Sequence, residues 1–155
     1  GLRTGGGMTY KLTEATSGNN DLEMLIHYAI TGEMCENSDL DCIDANLKGK
    51  KAASMAMPLC LGTIGSISGL DKIMEMKGVV NLTHFYEVGD TIVQKNINTL
   101  DQLFARVMVA CDCQDELMET LNNIRHLVSV KDIDGKEMII WDTFDKIYKE
   151  YGDNK

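Results

Sequence analysis

Apolar positions recur along this chain with two different periods. Met8, Leu12 and Ala15 follow helical spacing, and Ser17-Gly18 is the expected stop. Asn20 stands three residues before Glu23, a capping-box arrangement, and the stripe Leu22, Leu25, Ile26, Ala29 and Ile30 predicts a second helix ended by Gly32. From residue 51 the period shortens. Ala53, Met55, Met57, Leu59 and Leu61 alternate as in a strand, and Pro58, which cannot donate to a ladder, marks an edge or a bulge. Ile67, Leu70, Ile73 and Met74 predict a short helix ending near Gly78. Val80, Leu82, Tyr86 and Val88 alternate again up to a Gly89-Asp90 turn, and LFARVMVA is a third strand. Asp112 is placed to cap a helix with the stripe Leu117, Leu121, Ile124 and Val128. LVSVKDI and KEMII flank Asp134-Gly135, a hairpin signal, before a last helix carrying Phe144, Ile147, Tyr148 and Tyr151.

The order from residue 51 is strand, helix, strand, strand, helix, strand, with a hairpin partner and a terminal helix. That order predicts an α+β fold with a small ferredoxin-like antiparallel sheet carrying its helices on one face. Residues 33–50 hold Glu33, Glu36, Asp39, Asp41 and Asp44 without a clean period. They lack the central glycine and closing glutamate of a calcium loop, and read as a solvated acidic connection. The division is therefore 1–33, a linker at 34–50, and an α+β domain at 51–155.

Composition narrows the function. A hydrophobic share of 44% and a charged share of 25% are those of a globular protein, and 155 residues allow one domain or a small domain with an appendage. A formal net charge of -9 argues against nucleic acid and anionic membrane as partners. No apolar run of spanning length and no signal-peptide pattern is present, and the expected location is cytoplasmic. The five cysteines are odd in number and lack paired metal or redox spacing, so they are expected to pack as small hydrophobes, with no metal site.

The chemistry is concentrated at the start, GLRTGGGMTYKL. Consecutive glycines let successive amides converge on an anion, a helix N-terminus follows with a favourable dipole, and Arg3 adds a planar fork for carboxylate or phosphate. Neither nucleotide fingerprint is matched: there is no GxGxxG, and no Lys-Ser/Thr closes a phosphate loop. Among other candidates, His84 is expected to be a buried or edge histidine bonded to backbone, His27 and His126 to be helix residues, Trp141 a core anchor, and Asp132 and Asp134 turn formers.

The run LRTGGGMTYKLTEATSGNNDLEMLIHYAITGE resembles the end of the catalytic core in ATP-grasp enzymes, in the branch of carboxylate–amine ligases with biotin carboxylase, the carbamoyl-phosphate synthase large subunit and L-amino acid ligases. KAASMAMPLCLGTIGSISGL, GVVNLTHFYEVGD and DELMETLNNIRHLV resemble the small C-terminal domain that follows that core. The resemblance implies an ATP- and magnesium-dependent carboxylate–amine (or carbamoyl-phosphate-type) ligase that turns a small carboxylate into an acyl phosphate for attack by a nitrogen nucleophile. It implies that Arg3 faces the carboxylate or acyl phosphate as the catalytic residue, with Thr4 and the amides of Gly5, Gly6 and Gly7 lining the same pocket. The family's ATP-covering lysines and magnesium-binding acids precede the arginine. The chain would then be a C-terminal piece of a larger ligase, inactive alone, partnered by upstream ATP-grasp domains, with a homo-oligomer allowed. The other reading is a stand-alone ferredoxin-like module that binds a small molecule or a partner, with a disordered glycine-rich end.

Overall fold

The computed structural model describes residues 6–41 and 43–151. Its helices are α1 (Thr9–Ser17), α2 (Asp21–Thr31), α3 (Asn37–Leu40), α4 (Leu70–Ile73), α5 (Gln114–Leu127) and α6 (Asp142–Tyr151). Its strands are β1 (Lys51–Pro58), β2 (Gly62–Ser68), β3 (Val79–His84), β4 (Thr91–Ile92), β5 (Leu103–Cys111) and β6 (Ser129–Asp132). All strand pairing is antiparallel, in two three-stranded sheets ordered β1-β5-β3 and β4-β2-β6. The α+β class follows the alternation of periods in the sequence. No helix among the described residues is long and apolar enough to cross a membrane.

β5 is central to the first sheet and buried for most of its length. Ala105, Val107, Val109 and Cys111 join Leu117, Leu121 and Ile124 of α5 in the main core. Strand alternation sends Arg106, Met108 and Ala110 to the opposite face, where α1 packs. There Asn81 of β3, in register with Met108, accepts a hydrogen bond from Lys11 Nζ of α1 at 2.9 Å. β1 is an edge strand, and its register shifts between Met57 and Pro58, so the proline takes both roles its chemistry allows. Beyond it, Ile140 N–H donates to the Pro58 carbonyl and Cys60 N–H to that of Met138, joining the edge to the hairpin's returning arm.

The second sheet departs from the sequence expectation. Residues 62–68 form β2, not the start of a helix; only Leu70–Ile73 are helical. Ile67 stands opposite Val130, and the TIGSIS run carries too few apolar residues for its strand period to outweigh the nearby Leu70 and Ile73. Gly65 sits at a register shift where a Cβ would lie 2.6 Å from the Asp132 carbonyl oxygen, so the strand closes against β6 only with glycine there. β3 stops at His84, short of the alternating pattern that runs on to Val88. The hairpin at Asp134-Gly135 is present, with Asp132 Oδ1 accepting from Asp134 N–H and Lys136 N–H.

Two helix details differ as well. α5 is capped by Cys113, without a side-chain bond, while Asp112 pairs instead with Lys50 at 2.6 Å. α2 has its expected ends, with Asn20 accepting from Leu22 and Glu23 N–H and Gly32 left-handed at the close. Yet its apolar stripe is not buried: Ile26 and Ile30 are 52% and 79% exposed. The segment after it forms α3 and a 3-10 turn at Leu47–Gly49, and Asp44 N–H donates to Ser17 O of α1 at 2.8 Å.

α6 is held to α5 by Arg125, whose fork takes both carboxylate oxygens of Asp145 at 2.7 and 3.0 Å while its guanidinium lies over the Trp141 ring. Trp141 also meets Phe144 edge-on. Hydrogen bonding from Arg125 holds the Asp145 carboxyl below the usual range. A lowered folded pKa stabilises above the unfolded value and is lost as pH falls through the lowered one. Acidification below about pH 4 should therefore release α6 first, seen as a change in Trp141 fluorescence that Asp145→Asn removes; an identical acid transition in the variant would discount this pair.

Candidate functional site

The described part of the glycine-rich start reaches the α1 face of the first sheet. Gly6 and Gly7 line a cavity of about 460 Å³ with Phe85, Tyr86, Leu100, Asp101, Leu103 and Arg106. Gly7 is left-handed at φ 67°, and a Cβ on it would stand 2.5 Å from Arg106 Nη1. The turn thus rests directly on the guanidinium, which a larger residue would displace. α1 starts just beyond with no side-chain cap and no acid in its first turn, so the positive end of its dipole is not offset by its own sequence.

Arg106 stands mid-strand between small or polar neighbours, opposite Ala56 on β1 and Thr83 on β3. Its Nε is buried with no hydrogen-bond partner. Thr83 Oγ1 is engaged by Asn81 Nδ2, and Asn81 in turn by Lys11, so these polar groups satisfy one another and leave the arginine alone. Tyr86 donates its hydroxyl to the Asp101 carbonyl, and burial pushes its phenol above the usual value, which keeps it a neutral donor. Phe85 and Leu100 present apolar surface outward, at 52% and 82% exposure. Among the described residues the cavity therefore joins the Arg106 cation to apolar walls, with Asp101 as an acidic member.

Of the residues expected at the site, Gly6 and Gly7 are brought to this cavity; Arg3, Thr4 and Gly5 lie outside the described residues. Arg106 was not among the expectations. Its signal is a charged residue inside the otherwise apolar run LFARVMVA. A second cleft, about 420 Å³, runs along α2 between Ile26, Ile30, Met34 and Cys35. His27 borders it with Nδ1 2.8 Å from the Glu33 carbonyl oxygen. His84 is an exposed edge residue whose ring lies near Phe104, 6.4 Å between centroids. His126 Nδ1 is 2.8 Å from the Asn122 carbonyl oxygen within α5. Trp141 is half-buried against the core. Cys111 packs as a small hydrophobe and burial raises its thiol pKa, but Cys60 and Cys113 are exposed, against expectation.

The described residues do not by themselves fit ATP with magnesium. Among them no group of three His, Cys, Asp or Glu side chains is placed to hold a metal ion, and Arg106 is the one cationic side chain of the described residues that lines the cavity.

The fold is shared with part of two solved structures. An L-amino acid ligase from Bacillus licheniformis superimposes with a TM-score of 0.66 at 17% identity, covering 85% of this chain and 32% of its own. A phosphoribosylglycinamide synthetase from Anaerococcus prevotii does so with a TM-score of 0.63 at 15% identity, covering 79% of this chain and 30% of its own. This chain thus spans about a third of the length of each. No protein-family sequence model matches it, and no curated protein matches it by sequence.

The contrast between the two glycines can be measured. Gly7→Ala places a Cβ in a left-handed residue and against Arg106, and should cost about 1–2 kcal/mol in urea denaturation. Gly6→Ala meets nothing within 4 Å and should be close to neutral. Equal effects would mean that the turn does not rest on the arginine.

Proposed function

We propose that this chain is the C-terminal part of an ATP-grasp carboxylate–amine ligase that works in the cytoplasm through an acyl phosphate. The observation that carries the reading is the shared fold over 85% of this chain against about a third of an L-amino acid ligase. The LRTGGG turn adds chemistry that fold alone does not supply. In this reading Arg3 faces the substrate carboxylate or the acyl phosphate, and Thr4 and the amides of Gly5, Gly6 and Gly7 line the same wall. Residues 51–155 form a domain that closes the substrate side, joined through the acidic segment 34–50. ATP and magnesium sit on the preceding part of the ligase. The exposed apolar face of α2 supports this, since a helix of 11 residues with Ile26 and Ile30 in water gains little from burial unless another surface covers it.

The protein's contribution to such a reaction is positioning and charge neutralisation. A guanidinium fork aimed at a developing phosphoryl charge is what lysine cannot reproduce.

Two outcomes are expected. This chain alone should hydrolyse no ATP and give no Mg-ATP binding heat in calorimetry; tight nucleotide binding would place the nucleotide site within these residues and overturn the division of labour. In the intact ligase, Arg3→Ala should lower turnover about 10²-fold or more, as loss of a charge-stabilising donor does. Unchanged turnover would remove Arg3 from the reaction.

A further inference from the structure

Resting on the ligase reading but on a different residue, we propose that Arg106 is the anchoring group for a carboxylate-bearing organic substrate whose apolar body lies against Phe85, Leu100 and Leu103. Three observations converge on it. The guanidinium has a buried Nε without a partner, on a strand where its cross-strand neighbours, Ala56 and Thr83, cannot neutralise it. A cavity of about 460 Å³, large enough for a small organic acid, opens beside it. The turn at Gly7 comes within contact of Nη1, and α1 begins there without a cap of its own, so amide dipoles and guanidinium favour the same sign of charge.

The anion is a carboxylate for two reasons. A planar monoanion matches the guanidinium fork with two parallel hydrogen bonds. Asp101 lines the same cavity, so a doubly charged phosphate would face a like charge that a monoanion feels less. The walls select what the carboxylate is attached to. Phe85 and Leu100 expose apolar surface that a hydrocarbon or aromatic body would cover, and Tyr86, with its hydroxyl given to Asp101, offers mainly its ring. Arg106 binds and orients; it takes no proton and forms no bond with the reacting atoms.

The test is an NMR titration of this chain, isotopically labelled, with 3-phenylpropionate. Neutral 3-phenylpropionamide and inorganic phosphate are run in parallel. The acid should move the amide resonances of Gly7, Phe85 and Leu103 saturably, and the amide should bind at least about tenfold more weakly. Arg106→Met, which keeps length and removes charge, should weaken the acid by about tenfold or more, with Arg106→Lys between it and the natural chain. Equal binding of acid and amide, or full binding to Arg106→Met, overturns the assignment, and phosphate binding more tightly than the acid overturns the choice of carboxylate. Should Arg106→Met lose its fold, Ala56→Glu decides instead. Position 56 is exposed and in register with Arg106, so a carboxylate there should occupy the guanidinium and abolish binding of the acid. Unchanged binding in Ala56→Glu also overturns the proposal. The titration needs neither ATP nor any other part of a ligase, so its failure removes the Arg106 anchor while leaving the ligase reading to the Arg3 and nucleotide experiments.

Discussion

Removing a guanidinium nitrogen from water without giving it a partner costs on the order of 1–3 kcal/mol or more, and the central strand of this fold carries that cost at Arg106. The placement follows from β5 itself. One side of the strand is committed to the main core through Ala105, Val107, Val109 and Cys111, so a charge can stand only on the other. There the sheet is flanked by the small or polar side chains Ala56 and Thr83, and the chain's approach at Gly7 is made by backbone alone. The glycine turn rests on that arginine, and the uncapped start of α1 and the apolar rim at Phe85 and Leu100 lie beside it. Replace it by leucine and the same strand would still pack, but nothing about the turn would bear on charge.

Much of the fold was legible because its signals are local. Asn20, Gly32, Pro58 and Asp134-Gly135 act through backbone geometry that each residue imposes on its own neighbours, and each ends or bends the chain where expected. The strand at 62–68 is not legible in the sequence because its evidence is not local. Gly65 and the serines around it make a strand only because Asp132 and Lys131 approach closely from residues far along the chain. Asp112 misled for a related reason: as a cap it would serve α5, but Lys50, 62 residues away in sequence, takes its carboxylate first. The candidate site divides the same way. The glycines could be seen in the sequence as a turn near an anion, whereas Arg106 becomes notable only when the fold puts it under that turn with no partner.

α2 poses the complementary problem, an element whose ends are well specified and whose face is not satisfied. Asn20 fills two orphan amides, Asp21 and Glu23 sit in the first turn where the dipole favours them, and Gly32 closes the helix. A helix of 11 residues held by such local terms is marginal in water without burial, yet Ile26 and Ile30 remain outside. The capping explains why the helix is where the sequence predicts it. The exposed stripe explains why these residues are apolar only if a further surface is supplied, and in the proposed ligase that surface is the preceding part of the catalytic core.

An acidic chain is no obstacle to an anion site built this way. At physiological ionic strength charges more than about 8 Å apart are largely screened, so the formal charge of -9 acts weakly on a ligand already in the cavity. What decides affinity there is the short-range set: the Arg106 fork, the start of α1, and Asp101 opposing them. Lys11 extends the positive side of that set along the same sheet face through Asn81. The local field, not the net charge, decides whether a small anion is held there. In the proposed reading, that short-range set is the electrostatic reason for taking this face as a substrate wall.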